Sequence, residues 1–207
     1  LVVSDLHLEK GSAYAARGQL LPPYDTHATL TVLEGLCERL APSLVIALGD
    51  SFHDGDAADR LDMRATERIR ALTGGRDWLW IEGNHDPEPP SHLGGKVARE
   101  TWIGPLVFRH EPTGATGEVA GHLHPCAKVS GNGASLSGRS VRRACFVTDT
   151  ERLILPALGA FTGGLNVCDP AFDRVIDRKG LGVHVTGKGR VWPIPAARLL
   201  PDRTRPR

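Results

Sequence analysis

A repeated pattern in the first half of the chain constrains the fold most: short apolar segments lead directly into turns that carry Asp, Asn or His. Segments 44–48 and 78–81 have the length of buried strands, segment 2–4 is the end of another, and turns with Asp5, Asp50 and Asn84 follow them. The intervening segments 25–40 and 57–72 carry apolar residues at helical spacing. This alternation of strands and helices predicts an α/β layer with a largely parallel sheet.

The second half of the chain has a different pattern, because Gly, Pro and short alternating runs dominate after Pro87. Strands are predicted at 106–109, 118–120, 141–147, 152–155, 175–177 and 183–185. They favour a second, mainly antiparallel sheet that packs on the first. The predicted fold class is therefore α/β, with two stacked mixed β-sheets flanked by helices. A single domain is expected over residues 1–200, followed by a flexible basic tail at 201–207.

The composition excludes two classes of protein. No apolar run approaches the ~18 residues that a membrane-spanning helix needs, so a transmembrane protein is excluded. The cysteines at 37, 126, 145 and 168 lie far apart without a CxxC pair, which excludes a disulfide-stapled scaffold. Reduced thiols and a cytoplasmic location are therefore expected. The chain begins without a methionine at a strand-like segment, which leaves room for residues upstream.

The net charge of +1 conceals an uneven distribution. Residues 1–138 contain 12 Lys or Arg against 18 Asp or Glu, whereas residues 139–207 contain 13 against 6. Such asymmetry is typical of a surface that faces a polyanion. However, 20 of the 25 basic residues are arginine, and a codon bias would produce this excess without any binding role. Charge alone leaves both interpretations open.

Five turns carry potential metal ligands, and most of them directly follow an apolar run. They contain the sequences DLH (5–7), GD (49–50), GNHD (83–86), RHE (109–111) and GHLH (121–124). In α/β sheets, ligands bind at the carboxyl ends of strands, so these turns are expected to meet at one edge. Each turn alone has a simpler explanation, such as a chance triplet, an Asp that caps a helix or a surface histidine. Their combination and order predict a metal centre.

Carboxylate and imidazole donors in this number suit two divalent ions such as Mn, Fe or Zn better than a Ca or Mg cage. The candidate ligands form one set for each ion and one carboxylate that can bridge both: Asp5, His7 and His124; Asn84, His110 and His122; and Asp50. Two such ions hold a hydroxide at neutral pH and clamp a phosphoryl oxygen. The chemistry that these residues imply is hydrolysis of a phosphate ester.

The ordered set DxH, GD, GNHD, H and GHxH resembles that of the calcineurin-like metallophosphoesterases, over residues 5–124. This resemblance implies their four-layer α/β/β/α sandwich. Four longer segments resemble the ligase-associated DNA damage response endonucleases, a bacterial subfamily, over nearly the whole chain: HLEKGSAYAARGQLLPPYDT (7–26), LGDSFHD (48–54), GHLHPCAKV (121–129) and LPALGAFTGGLNV (155–167). The second resemblance implies manganese-dependent phosphodiesterase or endonuclease activity on DNA, with DNA ligase and helicase as repair partners.

The resemblance also assigns roles by position. The seven candidate ligands match the family's metal ligands, and His85 matches a histidine that acts near the leaving oxygen. Imidazole titrates near neutral pH and can donate a proton there, with Asp86 or Asp54 expected to hold its tautomer. His53 is expected to support the site rather than to bind a metal.

One assignment departs from the family pattern. The turn that contains His110 lacks the glycine common in the wider family, and His92 is the alternative ligand. Cys126, close to His124, is expected to be a packed residue rather than a nucleophile.

Four arginines are candidates for contacts with a phosphate backbone, because guanidinium groups bind phosphate through paired hydrogen bonds: Arg17, Arg139, Arg142 and Arg143. The simpler interpretation is that they are solvated surface residues. Few aromatic residues are available for a base-stacking groove. The leading hypothesis is a two-metal phosphodiesterase acting on DNA or nucleotides. The alternatives are a small-molecule phosphodiesterase, of the cyclic-nucleotide or nucleotide-sugar type, and a non-catalytic metal-binding module that contacts a partner; no membrane partner is expected.

Overall fold

Two stacked β-sheets form the centre of the structure, a computed structural model that describes residues 1–130 and 140–202. The first sheet has four parallel strands in the order β1, β2, β3, β4: β1 (Val2–Val3), β2 (Leu44–Leu48), β3 (Asp77–Ile81) and β4 (Lys96–Ala98). Strand β2 is apolar throughout because helices cover one of its faces and the second sheet covers the other. The predicted parallel layer is confirmed.

Four α-helices belong to the first half of the chain: α1 (Lys10–Ala16), α2 (Asp25–Leu40), α3 (Ala57–Arg60) and α4 (Met63–Gly74). The predicted bounds of α2 are confirmed. The prediction of one helix over 57–72 is wrong, because Leu61 adopts an extended conformation between α3 and α4. The Asp62 side chain accepts a hydrogen bond from the Ala65 amide at 2.7 Å and starts a new helix there.

The second sheet is mixed and contains the nine other described strands: β5 (Glu100–Ile103), β6 (Leu106–Arg109), β7 (Glu118–Ala120), β8 (Pro125–Ser130), β9 (Ser140–Thr148), β10 (Leu153–Ile154), β11 (Leu165–Asn166), β12 (Gly182–Gly187) and β13 (Arg190–Ile194). Its main order is β11-β8-β9-β10-β7-β6-β5, and β12 pairs with both β9 and β13. The predicted strand at 175–177 is wrong. A 3₁₀ helix at Pro170–Arg174 ends there, and the amides of Val175 and Ile176 donate to the Phe172 carbonyl instead of to a strand.

Three apolar clusters hold these layers together. The first packs the helices on the outer face of the parallel sheet and includes Leu33 and Trp80. The second lies between the sheets, where Leu48 meets Phe108. The third covers the outer face of the second sheet, where Phe172 from the 3₁₀ helix is buried. The two stacked sheets predicted from the sequence are thus confirmed, and short 3₁₀ turns contribute to the outer layer of the second sheet.

The described chain ends next to strand β8. The Leu200 amide donates to the carbonyl of Lys128 at 2.8 Å, and its own carbonyl accepts from the Asn166 side chain. Of the predicted tail, residues 203–207 lie outside the described residues. None of the helices within 1–130 and 140–202 combines the length and the apolar character needed to cross a lipid bilayer.

Candidate metal centre

Hydrogen bonds join the turns after β1 and β2 to each other and to the second sheet. The His7 amide donates to the Asp50 carbonyl at 2.9 Å, and the Gly121 amide donates to the His110 carbonyl at 3.0 Å. The His122 amide donates to Asp5 Oδ2 at 3.1 Å, which joins the two sheets. The edge at which the parallel strands end is therefore a rigid frame for the side chains that follow them.

Left-handed backbone conformations are concentrated at this edge. Five non-glycine candidate ligands have φ between 43° and 68°: Asp5, His7, Asp50, His122 and His124. Such angles are uncommon for residues with a Cβ and persist only where the surroundings enforce them. These backbone conformations therefore lower the local stability, and they direct the five side chains toward one point.

The first set of candidate ligands consists of Asp5, His7 and His124. His124 Nε2 lies 3.0 Å from Asp5 Oδ1 and 3.3 Å from His7 Nε2. His7 Nε2 in turn lies 3.8 Å from Asp50 Oδ2. With Asp50, these residues form one of the clusters whose donor atoms all lie within 4.8 Å of one another.

The second set is built around His110. Its Nε2 lies 3.0 Å from Asn84 Oδ1, 3.2 Å from His122 Nδ1 and 3.4 Å from Asp50 Oδ2. His110 Nδ1 donates to the Leu48 carbonyl at 2.8 Å, which directs Nε2 toward the other ligands. Asp50 Oδ2 thus faces His7 on one side and His110 on the other, which is the position that a bridging carboxylate requires.

Burial and charge determine the protonation of the site. Burial lowers the pKa of His7 to about 3, against the attraction of Asp50, so its imidazole is neutral. Burial alone would lower the pKa of His110 and raise that of Asp50. Their mutual hydrogen bond and opposite charges prevail, which raises the pKa of His110 to about 9 and lowers that of Asp50 to about 2. Burial, followed by the charge of His110, lowers the pKa of His122.

These donor atoms fit divalent ions. Asp5 Oδ1 is buried and has no aligned hydrogen bond in the described chain, although His124 Nε2 is close to it. His7 Nε2 and His124 Nε2 lie 3.3 Å apart, close enough for one cation to contact both nitrogens. The two donor sets that combine imidazole nitrogens with carboxylates suit Mn, Fe or Zn.

His85 lies beside the first set, and its side chain is held by His53. The Nδ1 atom of His85 donates to the His53 carbonyl at 2.9 Å, and the two rings stack with centroids 5.4 Å apart. His85 is exposed, whereas His53 is buried, with its Nδ1 3.5 Å from Nδ1 of His7. Burial, followed by the charge of Lys10, lowers the pKa of His53 to about 4.

Neither Asp86 nor Asp54 holds the tautomer of His85 in the structure, contrary to the prediction. Asp86 Oδ2 accepts hydrogen bonds from the amides of Ser51 and Phe52, at 2.8 and 3.0 Å. Asp54 turns away from the site and pairs with Arg60 at 2.6 Å. Both aspartates therefore support the turn after β2 rather than the imidazole.

Gly83 allows the turns after β2 and β3 to approach each other. A Cβ at this position would collide with the Asp50 amide and with the carboxylate oxygens of Asp50 and Asp86. Any side chain at residue 83 would therefore separate Asn84 from Asp50. The glycine of the GNHD motif is required by this close approach.

The structure separates the other predicted residues. His92 lies exposed in a 3₁₀ helix at Ser91–Leu93, outside the clusters found among the described residues, so His110 is the residue that joins the site. Arg17 is exposed after α1, and Arg143 is exposed on β9. The side chain of Arg142 is bonded to Cys126, Gly164 and Asp202. Arg139 lies outside the described residues.

Sequence reasoning missed two residues that lie on the side of His53. The ring of Tyr14 lies 5.8 Å from that of His53, and the ammonium of Lys10 lies 5.9 Å from the Tyr14 ring centroid. Both come from the helix that directly follows the DLH turn. Because α1 follows that turn so closely in sequence, its residues could have been predicted to lie near the site.

Comparison with known proteins agrees with this geometry. Residues 1–149 match the family described as calcineurin-like phosphoesterase. Among solved structures, the Pseudomonas putida nuclease MPE is 32% identical over 93% of this chain and 86% of that chain, with a TM-score of 0.69. The protein of unknown function AQ665 from Aquifex aeolicus is 17% identical over 59% and 77% of the two chains, with a TM-score of 0.43. The phosphoesterase Yfce from E. coli is 13% identical over 90% and 87%, with a TM-score of 0.41. A search of curated proteins gave no match.

The family match spans nearly three quarters of the chain and includes all seven candidate ligands together with His85. Phosphoester hydrolysis that depends on divalent metals is the activity of this family, and the clustered histidines and aspartates provide a site for such ions. The resemblance predicted from the ordered motifs is confirmed. The chain is a metal-dependent phosphoesterase that belongs to the calcineurin-like phosphoesterase family.

Proposed function

We propose that this phosphoesterase is a two-metal phosphodiesterase that cleaves DNA as an endonuclease and acts in DNA repair. The observation that carries the two-metal proposal is the position of Asp50, whose Oδ2 lies 3.8 Å from His7 Nε2 and 3.4 Å from His110 Nε2. A carboxylate between two sets of nitrogen donors can contact an ion in each set. A single ion would need only one of the two sets.

Similarity to a nuclease of known structure supports DNA as the substrate. The similar Pseudomonas putida protein is a nuclease, and its likeness extends over most of both chains. The basic excess of residues 139–207 supports a polyanionic substrate, and the exposed Arg17 and Arg143 are the proposed backbone contacts. We propose manganese as the metal, with zinc or iron(II) as alternatives, since the donors are imidazole, carboxylate and amide.

The residues of the chain have distinct tasks in this reaction. Two divalent ions, when bound, supply a water nucleophile at neutral pH and positive charge for a phosphoryl oxygen. Asp5, His7 and His124 would hold one ion, Asn84, His110 and His122 the other, and Asp50 would contact both. The carbonyl of His53 fixes His85 through Nδ1, so Nε2 is free to donate a proton to the leaving oxygen.

The proposed cellular setting rests on the subfamily resemblance alone. It is the bacterial cytoplasm, with a DNA ligase and a helicase as repair partners. Co-purification of the chain with these enzymes from a native host tests this part separately from the chemistry.

An activity panel tests the proposed reaction. The metal-free enzyme is loaded with Mn, Zn, Fe or Mg and assayed on supercoiled plasmid, a single-stranded oligonucleotide, cyclic nucleotides and an aryl phosphodiester. The proposal predicts turnover of the aryl diester and internal cleavage of a DNA substrate, greatest with Mn. Turnover of cyclic nucleotides without DNA cleavage would instead establish a small-molecule phosphodiesterase. Stoichiometric metal binding without turnover of any substrate would indicate a non-catalytic module.

A further inference from the structure

A groove on the second sheet is lined by both the candidate ligand His124 and Arg142. It is a cavity of about 310 Å³, lined by these two residues and by Cys126, Thr162 and Gly164, among others. Because His124 forms one of its walls, the groove opens directly beside the metal centre. A chain that lies across the metal centre can continue into it.

The guanidinium of Arg142 is fixed in this groove by two groups of the framework. Its Nε donates to Cys126 Sγ at 2.9 Å, and its Nη2 donates to the carbonyl of Gly164. Cys126 belongs to β8, and Gly164 directly precedes β11, which pairs with β8. Two anchors on paired strands position the guanidinium before any substrate arrives, which reduces the entropy that a bound anion would have to offset.

The third contact of Arg142 is an anion from the chain itself. Nη1 of Arg142 donates to Asp202 Oδ2 at 2.8 Å, and both side chains are nearly half exposed, at 43% and 47%. An ion pair with this exposure is weak. A carboxylate and a phosphodiester present the same pair of oxygens to a guanidinium, so one can replace the other.

The positive charge around Arg142 is larger than one carboxylate side chain can neutralise. Lys128 lies opposite Arg142 in the β8–β9 ladder, and the exposed Arg143 is next to it. Asp202 thus faces two positive charges, those of Arg142 and Lys128. This excess is left unneutralised by Asp202 and favours a polyanion.

We propose that Arg142 binds a backbone phosphate next to the scissile one, and that Asp202 occupies this position until a polynucleotide displaces it. Asp202 is then an intramolecular competitor of the substrate strand. This inference rests on the proposed function, because it requires a substrate with more than one phosphate.

Steady-state kinetics of the Mn-loaded enzyme test the inference with two substrates. One is a single-stranded DNA oligonucleotide, and the other is an aryl phosphodiester, which has no second phosphate. Asp202→Asn is expected to lower KM for the oligonucleotide by about two- to five-fold, the strength of an exposed ion pair. The ratio of kcat/KM for the oligonucleotide to that for the aryl diester is therefore expected to rise.

Two matched variants exclude a general charge effect. Asp173→Asn removes the same charge from another exposed pair, with Arg178 at 2.6 Å, and is expected to change neither KM. Arg142→Gln is expected to raise KM for the oligonucleotide and to abolish the effect of Asp202→Asn in the double variant. Arg142→Lys keeps the charge without the paired bonds and serves if Arg142→Gln does not fold.

The outcomes separate this inference from the proposed function. Equal effects of Asp202→Asn and Asp173→Asn, on an enzyme that cleaves the oligonucleotide, would overturn the inference alone. An effect of Asp202→Asn that persists with Arg142→Gln would also overturn it. Turnover of the aryl diester with no binding or cleavage of the oligonucleotide would overturn both the DNA assignment and the inference.

Discussion

The Nδ1 atom of His85 donates a hydrogen bond to the backbone carbonyl of His53 at 2.9 Å. A carbonyl can only accept, so the proton stays on Nδ1 in the neutral and the charged ring, and Nε2 is the atom available to a substrate. The backbone of the turn after β2, which also carries Asp50, thus orients the proposed proton donor. The candidate metal ligands and the proposed acid are positioned by the same few residues.

His85→Ala is therefore expected to lower kcat for DNA by about 10²- to 10⁴-fold, the usual contribution of a general acid. An aryl diester with a good leaving group should lose less, because its leaving oxygen needs little protonation. Metal content, measured by elemental analysis, should stay at the wild-type value. His92→Ala, which removes an exposed histidine outside the site, is the control. Wild-type kcat for DNA in metal-replete His85→Ala would remove His85 from the mechanism.

Asp50→Asn is expected to reduce turnover by more than about 100-fold and to lower the number of tightly bound ions, since a neutral amide cannot bridge two cations. Isothermal titration of the metal-free protein with Mn measures the stoichiometry. The fold should persist, with an unchanged circular dichroism spectrum. Asp59→Asn, on an exposed face of α3, is the matched control. Unchanged binding of two ions by Asp50→Asn would show that the carboxylate does not bridge.

Asp86→Ala is expected to destabilise the protein by about 2–4 kcal/mol, because the buried amides of Ser51 and Phe52 would lose their acceptor. Asp86→Asn keeps an oxygen at this position and should cost markedly less. Chemical denaturation of the two metal-free variants measures the difference. Equal stabilities for Ala and Asn would show that the two amide bonds contribute little.

Stability in acid is expected to depend on Asp149, which is buried at the end of β9. Burial alone would raise the pKa of this carboxyl. Hydrogen bonds from the amides of Asp177 and Glu151 and from the Arg152 side chain outweigh it and lower the pKa. A pKa that is lower in the folded than in the unfolded state adds stability above the unfolded value of about 3.9. That contribution is lost as the pH falls through the folded value.

Asp149→Asn is therefore expected to lower the free energy of unfolding at pH 7 by about 1–3 kcal/mol and to weaken its dependence on pH below 4. Urea denaturation at pH 7, 4 and 3 checks both effects. Asp173→Asn, an exposed aspartate, is the control. If the difference between wild type and Asp149→Asn were the same at all three pH values, ionisation of Asp149 would not be the cause.

The spacing of apolar residues correctly predicted those elements in which buried side chains recur at a regular interval. Helix α2 buries Leu30, Leu33 and Cys37 at helical spacing, and its bounds were predicted correctly. The break at Leu61 was missed because apolar spacing continues through it, although the cap between Asp62 and Ala65 was visible in the sequence. Cap residues therefore decide helix bounds where periodicity does not.

The wrong strand at 175–177 has a tertiary cause. Val175 and Ile176 favour strands by composition, but the Asp169 side chain accepts from the Ala171 amide and starts a 3₁₀ helix with Pro170. Ile176 is then buried as part of a turn against the second sheet. A β-branched pair packs equally well in either conformation, so composition could not distinguish them.

The site was predictable to the extent that its side chains follow strands. The structure brings together all seven candidate ligands, including His110, whose turn departs from the family pattern. The partner of His85 was not predictable, because it is a backbone carbonyl and leaves no mark on side-chain patterns. The pairing of Arg142 with Asp202 joins residues 60 positions apart, which motif spacing also cannot reveal.

The left-handed backbone at Asp5, His7, Asp50, His122 and His124 has a consequence for evolution. Each such residue costs on the order of 1–2 kcal/mol relative to glycine in backbone conformation. This strain favours glycine at these positions wherever selection no longer maintains the side chain. In a descendant that has lost activity, glycine should therefore accumulate first at these five positions. Asn84 and His110 do not belong to this strained group, and their substitutions should show no bias toward glycine.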